Sequence, residues 1–156
     1  MRRSYIVAVS LADEFVSKFL GVGKHEIAGS LRRNEPTIGD VDIITTASLQ
    51  DVAQRIEKNF YAKKITGKDK KMIVEYKSMR FDIYHSDLGS WGAMLFFLTG
   101  PAGYGIAYRR MAKAKGWKLD QYGLWNQHGE LIASRTEHDI YKALGKEYKE
   151  PEDRGK

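Results

Sequence analysis

Apolar residues at positions 11, 15, 16, 19 and 20 repeat with helical spacing, which predicts a helix over residues 11–20 that stops at Gly21-Val22-Gly23. Residues 26–29 predict a short strand. Residues 40–45 alternate polar and β-branched side chains, as a strand with one buried face does. Ser48-Leu49-Gln50-Asp51 has the form of a capping box and opens a helix to about residue 60. Residues 71–77 and 80–85 predict a hairpin across Ser78-Met79. After Ser86-Asp87-Leu88-Gly89-Ser90, which reads as a connector, the texture becomes helical: residues 90–98 and 101–115 predict two helices, with Pro101 suited to a first turn. Residues 119–125 pair with 130–133 across Asn126-Gln127-His128-Gly129, and Thr136-Glu137-His138-Asp139 caps a last helix that ends near Gly145. No repeat or low-complexity segment interrupts this order. The pattern predicts an α+β fold in two parts, residues 1–88 and 89–156.

With 42% hydrophobic and 29% charged residues among 156, the chain has the composition of a folded globular protein. A chain this long buries about 68–70% of its unfolded surface, so a core forms without disulfides. The absence of cysteine excludes disulfide scaffolds, thiolate zinc sites and cysteine nucleophiles. Asp13 and Glu14 cut short the apolar start, and no uninterrupted apolar run reaches the roughly 18 residues of a membrane span, so the expectation is a cytoplasmic protein without a membrane partner. Lys and Arg number 26 against 20 Asp and Glu, a net +6 that suits a polyanionic partner. The excess is even: 15 − 12 in residues 1–88 and 11 − 8 in residues 89–156, +3 in each part. His25, His85, His128 and His138 show no ligand spacing, and Trp91, Trp117 and Trp125 sit among apolar neighbours as packing residues.

The chemistry concentrates in Ala28-Gly29-Ser30-Leu31-Arg32-Arg33 and Gly39-Asp40-Val41-Asp42-Ile43-Ile44. On a strand Asp40 and Asp42 share one face while Val41 and Ile43 take the other. Two adjacent carboxylates repel unless a cation lies between their oxygens, and hard divalent ions take such oxygens. Asp82, in Arg80-Phe81-Asp82-Ile83, supplies a third acid from another predicted strand. Two ions held by such a set would stabilise the attacking and leaving oxygens of an in-line phosphoryl displacement. Gly29 permits close backbone approach, Ser30 can grip a phosphate and Arg33 can clamp it. The alternative for an isolated Asp-Val-Asp is the solvated face of an edge strand.

The run from Glu26 to Arg33 followed by Gly39-Asp40-Val41-Asp42 resembles the nucleotide-binding signature of the family X DNA polymerases, a branch of the DNA polymerase beta-like nucleotidyltransferases. Arg80-Phe81-Asp82-Ile83 is similar to the family's third-carboxylate strand, and Phe97-Leu98-Thr99-Gly100 to its sugar-contacting element. Gly116-Trp117-Lys118-Leu119-Asp120-Gln121-Tyr122-Gly123-Leu124 resembles its thumb hairpin, and Leu144-Gly145 with Tyr148 to Arg154 its C-terminal pattern. The resemblance implies a palm over residues 1–88 and a thumb over residues 89–156, the minimal form found in a large DNA virus, with no lyase or helix-hairpin-helix segment ahead of the palm. It implies template-directed addition of deoxynucleotides to a primer 3′-hydroxyl, on short gaps in DNA repair, by a monomer using two Mg²⁺ ions with Mn²⁺ as a substitute. In that reading Asp40 and Asp42 bind both metals, and Asp82 the one beside the primer terminus. Gly29, Ser30, Arg33 and Gly39 hold the triphosphate, while Phe97, Leu98, Thr99 and Gly100 face the sugar. Arg80 steadies the primer end or the carboxylates, and Arg109, Arg110, Lys113 and Tyr122 reach DNA. Phe97-Leu98 stands where the family has Tyr-Phe, and Ala102 and Gly105 stand where larger members carry polar base contacts, which implies relaxed selectivity.

Lys63, Lys64, Lys68, Lys70 and Lys71 crowd one stretch opposed only by Asp69, and Arg109, Arg110, Lys113, Lys115 and Lys118 another with no acid. Such clusters are either solvated faces or phosphate contacts, and beside a polymerase-like site they read as phosphate contacts, particularly on the thumb helix, with Lys68, Lys70 and Lys71 the candidates in the other stretch. Two other readings stand: a nucleotidyltransferase with another acceptor, such as a template-independent DNA end, tRNA or a protein, and a non-catalytic DNA-binding module.

Overall fold

Ser4 opens the first helix: its backbone is extended and its hydroxyl accepts from the Val7 amide at 3.4 Å, so a short strand β1 (Arg3–Ser4) passes directly into α1 (Tyr5–Phe15). The computed structural model describes residues 2–68 and 70–156, and Asp69 lies outside them. α1 begins six residues before its apolar period becomes visible, because Tyr5, Ile6 and Val7 are solvent-exposed and carry no signal of a buried face. Ala8, Ala12 and Phe15 form the buried stripe, and a wider π turn over Val16–Leu20 carries Phe19 and Leu20 inward before Gly21 ends it.

The chain divides into two compact units, residues 1–86 and 87–156. In the first, α1 is followed by β2 (His25–Ala28), a single helical turn α2 (Gly29–Arg32), β3 (Thr37–Ile38), β4 (Asp40–Thr45), α3 (Leu49–Glu57), β5 (Ala62–Lys68), β6 (Lys71–Tyr76) and β7 (Met79–His85). β3 pairs with β1 as a two-stranded ribbon. The other five strands form one mixed sheet in the order β2-β4-β7-β6-β5, parallel between β4 and β7 and antiparallel elsewhere.

Alternation along these strands sorts the sheet into two faces. Val41, Ile43, Phe81, Ile83, Met72 and Val74 turn to α1 and α3 and form the core. There Phe15 stacks on Phe81 at 4.2 Å between ring centroids, and Phe19 meets Tyr76 edge-on at 5.2 Å. Burial of each such side chain is worth about 1.5–3 kcal/mol. The opposite face carries the polar rows built around Asp40, Asp42 and Asp82.

α3 follows Ser48 as expected, although the Ser48 side chain makes no capping hydrogen bond, and it stops at Glu57 instead of reaching Phe60. Phe60 is 94% exposed, so nothing apolar extends the helix.

The second unit comprises α4 (Trp91–Thr99), α5 (Ala102–Ala114), β8 (Lys118–Asp120), β9 (Gly123–Trp125), β10 (Leu131–Ala133) and α6 (Glu137–Ala143), ending in a turn of 3₁₀ helix over Pro151–Asp153. The predicted strand over residues 119–125 is two strands. Asp120 Oδ1 accepts from the amides of Tyr122 and Gly123 at 2.9 and 3.0 Å and from Trp125 Nε1 at 3.3 Å, folding the chain back so that β8, β9 and β10 form a three-stranded meander. Gly92 lets α4 pack against the next segment: a Cβ there would overlap the Thr136 backbone, and the Gly92 amide donates to Arg135 O at 3.0 Å. Thr136 caps α6 as expected, its hydroxyl accepting from the Asp139 amide at 3.1 Å.

Phe96 lies at the centre of this unit among Tyr104, Tyr108 and Tyr141. The buried Arg154 guanidinium stands 5.8 Å from the Phe96 ring and donates to Glu137 Oε2 at 2.7 Å. Among the described residues no helix is long and apolar enough to cross a membrane.

Candidate active site

β4 and β7 run parallel with Asp42 beside Asp82 and Asp40 beside Arg80, so two carboxylates stand as register neighbours and the third lies one same-face step away. Gly29 closes this row from the other side. β2 pairs with β4 so that Ala28 opposes Asp42, and the chain then turns sharply at Gly29 with φ of 64°. A Cβ at Gly29 would collide with the Asp42 carboxylate. Only glycine meets both demands, a left-handed backbone and the close approach of the acid. Ser30 follows, half-buried at the start of α2, and the amides of Arg33 and Glu35 close the turn onto Gly29 O and Ser30 O, each at 3.1 Å. Arg33 Nε lies 3.6 Å from Glu35 Oε1. Gly39 leads into Asp40 beneath the Arg2 guanidinium.

Crowding of acids sets the electrostatics. The Asp42 carboxyl is pushed up to about 7, first by burial, then by the charges of Asp40 and Asp82, with Lys71 and Arg80 pulling the other way. Asp82 is buried and held by cations: Arg80 Nε donates to its Oδ1 at 2.7 Å and Nη2 to its Oδ2 at 3.0 Å, while Lys71 Nζ stands 3.7 Å from Oδ2. The bidentate bond raises the Arg80 pKa further above its usual range. Lys71 is raised as well, chiefly by its hydrogen bond to Tyr84, whose ring centroid lies 5.1 Å from Nζ. Tyr84 escaped sequence reasoning; its position two residues beyond Asp82, on the same strand face, was the available signal.

Among the described residues no three acid or histidine side chains converge closely enough, as oriented, to share one ion. Register brings the carboxylates together, and Asp82 is turned onto Arg80. The donor set nevertheless fits a hard divalent cation in kind: three half-buried or buried carboxylates press like charges together, the repulsion such a cation relieves.

The second unit places its candidates on α4 and α5. Phe97 is 44% exposed, and the Arg109 guanidinium stands 6.0 Å from its ring. Phe96, Phe97, Gly105, Arg109, Leu119 and Asp120 line a small recess. Thr99 is fully buried and its hydroxyl donates to Leu95 O at 2.6 Å, so it faces the helix interior, while Leu98 and Gly100 are half-buried. Arg110, Lys113 and Tyr122 are exposed, as are Lys68, Lys70 and Lys71 in the first unit.

Residues 94–155 match the model of the DNA polymerase beta thumb. The chain is 31% identical over 156 residues to the Repair DNA polymerase X of African swine fever virus (isolate Pig/Kenya/KEN-50/1950), a match spanning 92% of this chain and 90% of the viral protein. The chain belongs to the family X DNA polymerases. It is also 26% identical to DNA polymerase lambda of Rattus norvegicus, across 81% of this chain and 28% of that protein. A further family X relative, the DNA polymerase/3′-5′ exonuclease PolX of Bacillus subtilis (strain 168), is 28% identical across 85% and 24% of the two chains. Family X polymerases are nucleotidyltransferases, and the aspartate row and the Gly29-Ser30 turn lie in the unit that precedes the thumb match.

Proposed function

We propose that this chain is a DNA-directed DNA polymerase that fills short gaps during repair, adding deoxynucleotides from their triphosphates to a primer 3′-hydroxyl. The observation that carries the reading is the register of Asp42 beside Asp82 on parallel strands, with Asp40 on the same face and the Gly29-Ser30 turn pressed against Asp42. Asp40, Asp42 and Asp82 would hold two Mg²⁺ ions, or Mn²⁺ in their place. Bound there, such ions lower the pKa of a hydroxyl and neutralise triphosphate charge.

The protein's own side chains do the positioning. Ser30 and Arg33 bind the β- and γ-phosphates beside Gly29 and Gly39, and Arg80 and Lys71 hold the buried Asp82 carboxylate in place until substrate arrives. Phe97 presents a ring, Leu98 an apolar edge and Gly100 a carbonyl to the sugar, with Thr99 acting through its backbone because its hydroxyl is bonded inward. Arg109, Arg110, Lys113 and Tyr122 engage the duplex, and Lys68, Lys70 and Lys71 its phosphates. The palm comprises residues 1–88 and the thumb residues 89–156; the protein works as a monomer inside the cell.

Extension of a 5′-labelled primer on a single-nucleotide gap, with Mg²⁺ and each deoxynucleotide in turn, tests this directly. Wild type extends with the template-matched nucleotide, and Asp82→Ala binds the same DNA without extending it. Absence of extension by wild type on bound DNA would move the function to another acceptor or to a binding role.

A further inference from the structure

We propose that the exposed pair Phe60 and Tyr61, with the edge strand β5 that follows it, is a stacking platform for single-stranded DNA, separate from the aspartate row. The choice of DNA as the polyanion rests on the polymerase reading. Phe60 is 94% and Tyr61 64% exposed, so both ring faces are open to a ligand. Their rings meet edge-on with centroids 5.3 Å apart, so the pair is held in a defined shape. Two contacts fix it at the sheet margin: the Tyr61 amide donates to Asn59 Oδ1 at 2.8 Å, and Tyr61 O accepts from the Lys77 amide at 3.1 Å.

β5 then runs along the open end of the five-stranded sheet, exposed at every position after Ala62. At about 3.3 Å per residue its seven residues extend roughly 20 Å, enough to track several nucleotides. Lys63 and Lys68 punctuate one face of it and Lys64 the other, Ile65 adds an exposed apolar side chain at a bulge, and Lys77 Nζ lies 6.0 Å from the Tyr61 ring. Glu75, opposite Lys63, and Glu14, which accepts from Lys77 Nζ at 2.6 Å, offset two of these charges. Exposed rings followed by a cationic track are what sequence-tolerant single-strand binding uses, because unstacked bases offer faces that a duplex keeps closed. Lys63, Thr66 and Lys68 fall on the same sheet face as Asp82, in register through β6 and β7, so a strand lying on β5 borders the proposed reaction site within one unit.

The test is fluorescence anisotropy of the full chain with dye-labelled oligothymidylate and with a blunt duplex, across a salt series. Phe60→Ala/Tyr61→Ala lowers affinity for oligothymidylate by roughly tenfold or more and leaves blunt-duplex affinity within twofold, whereas Phe60→Trp/Tyr61→Phe retains binding. Lys63→Ala and Lys68→Ala each reduce the salt slope on the single strand by about 0.7. Thermal melting and circular dichroism of the double alanine variant match wild type because both rings are exposed. Unchanged oligothymidylate affinity in that variant overturns the inference, and equal loss on both DNAs overturns it too. Wild-type gap extension, measured on the same preparation, reports the polymerase reading separately, since the binding comparison requires no catalysis.

Discussion

Gly29 is where conformation and chemistry meet at a single residue. Its φ of 64° is open to glycine and costly to alanine, and its missing Cβ makes room for the Asp42 carboxylate. Gly29→Ala therefore carries two penalties: backbone strain of more than about 1 kcal/mol, and displacement of an acid whose position the proposed reaction needs. A 1 Å misplacement at a reacting centre costs about a hundredfold in rate, so gap extension by Gly29→Ala falls by about that factor or more while circular dichroism shows a folded protein. Near-wild-type extension would separate the Gly29-Ser30 turn from the reaction. Arg80 shows the same economy on the other side of the row. Asp82 is 4% exposed, and a buried carboxylate without a partner is costly, so the bidentate guanidinium supplies a donor to each of its oxygens.

At the scale of elements, the parts with an apolar period were legible and the parts without one were not. β4 and β7 alternate because one face is core, and their three aspartates could be assigned to a common face from spacing alone. The parallel register of Asp42 with Asp82 could not, since it depends on β7 crossing over to lie beside β4. β5 escaped because every position after Ala62 is exposed, leaving neither a buried face nor alternation to read. The β8–β9 turn was missing from the apolar period, although the resemblance to a thumb hairpin and the turn spacing of Asp120 and Gly123 marked it, and the reversal is held by the side chain of Asp120. That dependence gives a prediction. Asp120→Ala removes one acceptor from three donors, two of them backbone amides, and lowers stability in urea unfolding by about 2–3 kcal/mol; Asp120→Asn, which keeps an acceptor oxygen, recovers at least half. Equal stability of the three proteins would mean that the meander does not need its Asx turn.

For the whole molecule, the even excess of +3 in each part describes the partner better than it describes stability, since phosphate neutralisation supplies affinity without regard to sequence. The phenol cluster of residues 87–156 predicts an alkaline limit to the stability of the fold. Tyr104 Oη bonds Tyr141 Oη at 2.8 Å and Tyr108 Oη at 3.3 Å, and burial pushes Tyr104 and Tyr141 up to about 12 from 10.0, with Tyr108 raised above its usual value by the same cause. For an acid whose folded pKa is raised, the neutral form is favoured by folding. The stabilisation is therefore fully present below pH 10.0, the unfolded value, and is lost as pH climbs through about 12. Arg154, buried against the Phe96, Tyr141 and Tyr148 rings and ion-paired to Glu137, keeps its charge throughout that range and so cannot compensate by deprotonating. An alkaline titration following phenolate absorbance and near-ultraviolet circular dichroism together should resolve two populations among the nine tyrosines. The group formed by Tyr104, Tyr108 and Tyr141 ionises late and cooperatively, with loss of the tertiary signal. Replacing Tyr108 by Phe leaves the ring packing and removes one late-titrating phenol, which moves the cooperative step to higher pH. Ionisation of all nine near pH 10 with the tertiary signal intact would show that the cluster does not govern alkaline stability.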